Sequence, residues 1–286
     1  MDRTHAPHLL PPRDAARGAR RRELRRQGAI YAAFFAQFVK SRLAYRMDFL
    51  IDLVANLFSL GVQIAVITVL FSKVSALQGW SYEQVLFIYG FSLLPLGLFN
   101  LVSVNLYRFS DMYIIEGQFD RVLLRPVNPL AQVLFSSFGM GGLNELVLGS
   151  AVMGYALHGM ERALGVGDVL LLLLFAATAG LVYLGVFLGL TSVSFWFEDR
   201  MGLAPPVYNV IRFARYPLTI FHPLVRLLLT FVLPFAWVAY YPSTWFIGAD
   251  EFRRIALLTP AVGAATFGLA YLVWTRGMRR YTSTGS

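Results

Sequence analysis

Long apolar segments joined by short connections constrain this chain more than any other feature of its sequence. A helix needs roughly 20 apolar residues to cross a bilayer. Six segments reach that length, at about residues 49–71, 85–107, 130–157, 169–197, 218–240 and 255–274. Hydrophobic residues make up 57% of the 286, which is typical of a membrane protein rather than a soluble domain. The pattern predicts an all-α integral membrane protein with six transmembrane helices.

Three local patterns refine this prediction. Residues 28–45 mix aromatic residues with Lys40 and Arg42, which predicts an interfacial helix before the first span. Ser81 and Gln84 form a capping-box pattern that predicts the start of the second span. Residues 234–248 are apolar but contain two prolines, which predicts a re-entrant segment before the last span. A single domain that contains all six transmembrane spans is therefore expected over residues 28–280.

Basic residues are concentrated near the N-terminus. Residues 1–46 hold eleven of the 25 lysines and arginines, and residues 1–27 are predicted to be a disordered, Arg-rich tail. Short connections on the same side of the six spans also carry the larger share of basic residues. By the positive-inside rule both termini, including a short tail at 281–286, are predicted to be cytoplasmic. Lipid contact is favoured over nucleic acid, because no stacking aromatic residues are interleaved with the arginines.

The signatures of soluble enzymes are absent from this sequence. It has no cysteine, its four histidines are not at metal-binding spacings, and it has neither a glycine-rich phosphate loop nor a Gly-x-Ser-x-Gly elbow. No catalysis, cofactor or metal is therefore predicted for the chain itself. An ATP-driven transporter built on this chain would need a separate ATP-hydrolysing subunit. A secondary transporter or a non-transporting assembly protein remains an alternative.

The stretch from Arg108 to Leu130 is too charged to enter a bilayer, and the charge count places it in the cytoplasm. It contains GQFDRVLLRPVNPL from Gly117. With YRMDFLIDLVANL from Tyr45, ARYPLTIF from Ala214 and YYPSTWFIG from Tyr240, it resembles the permease subunits of bacterial ABC transporters of the type-two exporter class. The resemblance covers about residues 28–280 and is most specific at 123–129.

The resemblance implies a multi-pass protein of the bacterial plasma (inner) membrane. Two permeases, identical or paralogous, would join two cytoplasmic ABC ATPase subunits, on which ATP and Mg would bind. It also implies an elbow helix at 28–45, a cytoplasmic coupling helix after the second span and re-entrant helices before the sixth.

The resemblance assigns roles within the charged loop. A coupling helix over about 110–116, ended by Gly117, would contact the ATPase, and a return segment would pass motion to the second and third spans. The implied contact residues are Met112, Tyr113, Ile114, Glu116, Gln118, Phe119 and Asp120. The implied return residues are Leu124, Arg125, Pro126 and Pro129. A plain surface connection at the inner leaflet is the alternative.

Four polar residues within apolar segments are candidates for the translocation path: Asn56, Asn100, Glu145 and Arg226. An ionisable side chain in a membrane normally faces a partner or a water-filled cavity. A structural hydrogen bond is the alternative for Glu145, and snorkelling to the surface is the alternative for Arg226. Because the walls are mostly apolar, an amphipathic cargo such as a drug, a lipid or a lipid-linked molecule is expected.

Overall fold

The structure is a computed structural model that describes residues 46–197, 204–248 and 250–282. The predicted tail at 1–27 and the predicted elbow helix at 28–45 lie outside these ranges. The described residues form an all-helical fold, as predicted. Its α-helices are α1 Arg46–Phe71, α2 Tyr82–Val102, α3 Val104–Tyr107, α4 Gln118–Leu123, α5 Pro129–Phe135, α6 Gly141–Gly159, α7 Val166–Ser192, α8 Ala204–Val210, α9 Pro223–Leu227, α10 Tyr240–Thr244, α11 Asp250–Ala256 and α12 Thr259–Met278.

Four helical stretches of the described chain are long and apolar enough to cross a membrane. They are Leu53–Phe71, Tyr82–Val102, Val166–Phe195 and Phe252–Met278. A fifth is reached if the segments Pro223–Val232 and Phe235–Thr244, which meet at 78°, count as one span. The third predicted span differs from the structure, which breaks it between α5 and α6.

Helix α2 forms the centre of the bundle. In its apolar stretch 78% of the residues are buried, against 6% in the stretch of α1. The predicted capping box starts it, since the Gln84 amide donates to Ser81 Oγ at 3.3 Å and the Ser81 amide donates to Gln84 Oε1 at 3.0 Å. These bonds satisfy backbone amides that no helix turn can reach. The centre of the fold is thus a largely buried helix with a fixed N-terminus.

Glycines bring α6 and α2 into backbone contact. A Cβ built on Gly97 would lie 2.7 Å from the carbonyl oxygen of Gly142, and one built on Gly90 would lie 3.0 Å from that of Gly149. In both helices the two glycines are seven residues apart, so they share one helix face. The first glycine of α2 contacts the second glycine of α6, and the second glycine of α2 contacts the first of α6, so the two helices are antiparallel. Small residues allow this approach because no side chain separates the backbones.

Helices α2, α7 and α12 run in the same direction. The Phe99 and Phe187 rings lie 4.9 Å apart, and Thr191 Oγ1 donates to the Leu106 carbonyl at 3.3 Å. A Cβ on Gly185 would lie 2.8 Å from the Phe267 amide nitrogen, which shows that α12 packs closely on α7. Helix α1 runs antiparallel to α2 at the edge of the bundle.

The segment from 219 to 247 leaves one end of the bundle and returns to it. Trp80 Nε1 donates to Thr219 Oγ1 at 2.7 Å, and Gln84 Nε2 donates to the Ile247 carbonyl at 3.2 Å, both at the N-terminal end of α2. Between these points Phe235 reaches Tyr183 of α7, with rings 5.3 Å apart. The fifth span predicted over 218–240 is therefore bent, because prolines in the segment interrupt the helix.

Candidate functional site

A polar cavity of about 80 Å³ lies within the bundle. It is bounded by α1, α2, α6 and the 3-10 helix Ile211–Arg215. Its lining residues are Asn56, Ser59, Leu60, Gln63, Tyr89, Leu93, Glu145, Leu148 and Arg215. One carboxylate and one guanidinium thus share a cavity among helices that are otherwise apolar.

The cationic side of this cavity is held by α1 and α2. Arg215 Nη1 donates to Gln63 Oε1 at 2.8 Å, and the Tyr89 hydroxyl donates to the same oxygen at 3.1 Å. The Arg215 guanidinium also lies 5.8 Å from the centre of the Tyr89 ring. Its Nε is buried and has no hydrogen-bond partner among the described residues. Arg215 is therefore fixed in place while keeping an unused donor.

The anionic side is held by α2 and α8. Asn100 Nδ2 donates to Glu145 Oε2 at 2.8 Å and to the Tyr208 hydroxyl at 3.4 Å. Glu145 and Arg215 line the same cavity. Such an arrangement can hold water or a small dipolar group, because a carboxyl group and a guanidinium both form hydrogen bonds there.

The sequence predicts the carboxylate side of this cavity but not the arginine on its other side. Asn56 and Glu145 line it, and Asn100 binds Glu145. Arg215 was missed because nearby prolines favoured an interfacial position for it. The sequence feature that indicates it is Gln63, a polar residue within the first predicted span that requires a hydrogen-bond partner.

Arg226 lies elsewhere. Its Nε donates to the Phe221 carbonyl at 2.7 Å, and its Nη2 donates to the Thr219 carbonyl. It therefore joins the start of the bent segment to itself, and its place on the translocation path stays a prediction.

We expect Arg226→Gln to destabilise the protein by about 2 kcal/mol, because hydrogen bonds from a charged donor contribute about 1.5–3 kcal/mol. The thermal midpoint of the purified protein measures this, with exposed Arg254→Gln as the control. A thermal midpoint equal to that of the unaltered protein would contradict a structural role for these two hydrogen bonds.

The loop between α3 and α5 contains two short helices joined at a left-handed glycine. A π-helix covers Phe109–Ile115, and α4 follows after Gly117, whose φ is +70°. That backbone conformation suits glycine, because a Cβ would crowd the following carbonyl. Gly117 thus turns the chain sharply between the two helices.

One face of this loop is buried in a cluster of aromatic rings. Phe109 and Phe119 are fully buried and lie 5.6 Å apart. The Trp274 ring of α12 lies 5.0 Å from Phe109 and 5.0 Å from Phe195, which follows α7. Tyr281 lies 5.1 Å from Phe119. The loop is therefore packed against the ends of two long helices.

Three of the predicted contact residues lie on this inner face. Tyr113, Ile114 and Phe119 are 6%, 7% and 0% exposed. Met112, Gln118, Asp120 and Pro129 are half-buried. Side chains this enclosed anchor the loop and offer little area to another protein.

The outer face of the loop consists of charged and apolar side chains. Its exposed members are Asp111, Glu116, Arg121, Leu123, Leu124, Arg125 and Pro126. Leu124 is 85% exposed, and Glu116 Oε2 accepts a hydrogen bond from Gln118 Nε2 at 3.1 Å. We call these seven residues the loop surface.

No group of three or more metal-binding side chains lies within the described part of the chain. Searches among curated proteins and solved structures gave no match. The family described as ABC-2 family transporter protein matches residues 57–285, which include α2, the loop surface and every residue that lines the polar cavity except Asn56. Its members are non-catalytic membrane subunits of ABC transporters, and the apolar helices agree with a multi-pass membrane protein. The chain therefore belongs to the ABC-2 transporter family, as its sequence motifs predict.

Proposed function

We propose that this chain is the permease subunit of an ATP-driven exporter in a bacterial plasma membrane. Two copies, or this chain and a paralogue, would form the translocation path, and two separate ATPase subunits would bind ATP and Mg in the cytoplasm. The observation that carries the proposal is the structure of the loop between α3 and α5. The loop surface is exposed, and the opposite face of the loop packs into the aromatic cluster. A loop built in this way can receive force without deforming.

Six crossings are proposed, and the helix directions support them. Helices α2, α7 and α12 run parallel, so the chain would cross back between each pair. Helix α6 would make the first return, and the segment from α8 to Thr219 would make the second, since Tyr208 lies beside Asn100 and Thr219 beside Trp80. Helix α1 would add the sixth crossing, with both termini on the loop side. Residues 219–247 would then be a re-entrant segment on the outer side.

Coupling would act through the loop surface. Closure of the ATPases on ATP would push Glu116, Leu124 and their exposed neighbours. The aromatic cluster would pass this motion to α7 and α12, and the bond from Asn105 Nδ2 to the Val133 carbonyl, 2.7 Å long, would pass it to α5. We therefore move the ATPase contact from buried Tyr113 and Ile114 to the exposed side chains around them.

The cargo is proposed to be amphipathic. The cavity of about 80 Å³ is too small for a whole lipid or drug, so its charges would meet only a polar portion of the cargo. The exposed face of α1 carries apolar side chains such as Phe58 and Val66, which are 75% and 57% exposed. This face suits an apolar portion, because apolar surface favours apolar contact.

A double variant, Glu116→Arg with Leu124→Asp, tests the coupling proposal. Both side chains are exposed, so we expect the folded state to persist. Association with the ATPase should weaken at least tenfold, since the substitutions reverse one charge and place a carboxylate in an apolar contact. Affinity capture of the ATPase and transport-coupled ATP hydrolysis in proteoliposomes are the measurements.

Glu161→Arg is the matched control, because Glu161 follows α6 at the opposite end of the bundle. It should leave association and coupled hydrolysis unchanged. The same values for the double variant and the control would contradict the loop surface as the site of ATPase contact.

A further inference from the structure

A second cavity lies beneath the loop, and two of its lining residues, Arg121 and Arg125, also belong to the loop surface. It measures about 310 Å³ and lies between α4, the π-helix, α3 and α5. Its lining residues are Asn105, Met112, Tyr113, Gln118, Arg121, Val122, Arg125, Gln132, Ser136 and Ser137. Two arginines and no carboxylate line it, so its electrostatic potential favours an anion.

Both arginines of the second cavity come from the same short stretch of chain. Arg121 and Arg125 are four residues apart at the end of α4, and both reach the same cavity. Guanidinium groups bind phosphate oxygens through paired, charge-assisted hydrogen bonds. The hydroxyls of Ser136 and Ser137 add neutral polar groups to the lining. The cavity thus matches the charge and the hydrogen-bonding needs of a phosphate ester.

Gln132 is a second, independent indication that this cavity holds a ligand. It is 4% exposed, and its Nε2 donates to the Val122 carbonyl at 3.1 Å and to the Val127 carbonyl at 2.9 Å. These two bonds fix the amide, so its Oε1 is left buried with no partner in the described structure. A buried acceptor without a donor is costly. A ligand that donates a hydrogen bond to Oε1 would remove that cost.

We infer that this cavity binds a phosphate ester whose alcohol or amine group donates a hydrogen bond. The phosphate lies between Arg121 and Arg125, and the donor meets Gln132 Oε1. Glycerol phosphate and ethanolamine phosphate, the headgroups of common phospholipids, both have this chemistry. Choline phosphate has no such donor.

Neighbouring apolar residues suit a headgroup that is attached to acyl chains. Leu123 and Leu124, 44% and 85% exposed, lie between the two arginines in sequence. Basic and apolar side chains that alternate in this way are typical of a segment at a membrane interface. The experiment separates a membrane lipid from a soluble phosphate ester.

The full-length chain in detergent is titrated with phosphatidylglycerol, phosphatidylethanolamine and phosphatidylcholine of identical acyl chains, and separately with glycerol 3-phosphate. Native mass spectrometry measures occupancy. We expect the first two lipids to bind at least tenfold more tightly than phosphatidylcholine. The double variant Arg121→Gln, Arg125→Gln should remove this preference.

The matched control is Arg279→Gln with Arg280→Gln, which removes two exposed charges at the same end of the bundle and should keep the preference. Tight binding of glycerol 3-phosphate that depends on Arg121 and Arg125 would support the site and assign it to a soluble ester. Equal affinities for the two double variants would overturn the site. Loss of ATPase capture with unchanged lipid binding would also overturn it, and would assign the arginines to the partner protein.

Discussion

Gly142→Ala is expected to lower the thermal midpoint of the bundle strongly, although it adds a single methyl group. The new Cβ would lie 2.5 Å from the Gly97 carbonyl oxygen and 2.8 Å from the Leu101 amide nitrogen. Both atoms belong to the backbone of α2, so they cannot rotate away as a side chain would. Helices α2 and α6 would have to separate, and overpacking of this kind costs about 1–3 kcal/mol or more.

Gly154→Ala is the matched control, because both glycines lie in α6. No atom lies within 4 Å of a Cβ at Gly154, so this variant should be neutral or gain a few tenths of a kcal/mol from helix propensity. Size-exclusion chromatography after graded heating gives the thermal midpoint of each variant. Equal midpoints would show that the glycine contact does not hold α2 and α6 together.

Arg215→Gln is expected to reduce transport more than tenfold and to destabilise the protein by about 2 kcal/mol. The substitution removes the hydrogen bond that the Arg215 guanidinium donates to Gln63 Oε1, and a hydrogen bond from a charged donor contributes about 1.5–3 kcal/mol. Glu145, which lines the same cavity, also loses the nearby positive charge. Exposed Arg212→Gln, three residues earlier, is the control and should behave as the unaltered protein.

The double variant Glu145→Gln, Arg215→Gln separates stability from transport. It removes both charges, so its thermal midpoint should exceed that of Arg215→Gln alone, which is the mark of an interacting pair. Transport should remain low if the charges contact cargo or water. Transport restored to the level of the unaltered protein would show that the pair is purely structural.

The sequence predicted elements whose determinants are local. Ser81 and Gln84 mark the start of α2, because a capping box needs only residues three positions apart. The apolar stretches of α1, α2, α7 and α12 are also local signals. The breaks at Ser103 and between α5 and α6 were missed, because apolar residues continue through them and the breaks are stabilised by contacts such as that of Asn105 with Val133.

The candidate site was predictable only where a polar residue stood alone in an apolar run. Glu145 and Asn56 fit that description. Arg215 lies between prolines, and its partner Gln63 is 152 residues away, so no local pattern joins them. Burial of Phe109 and Phe119 was equally hidden, since a charged loop is expected to be exposed and the rings that cover them come from distant helices.

The polar cavity also bears on how the protein is assembled in the membrane. Synthesis proceeds from the N-terminus, so α1 enters the bilayer long before residue 215 has been made. Gln63 is therefore synthesised before both of its hydrogen-bond partners, Tyr89 and Arg215. Glu145 is likewise synthesised before Arg215. The polar cavity can therefore be completed only after the segment following α8 has emerged from the ribosome.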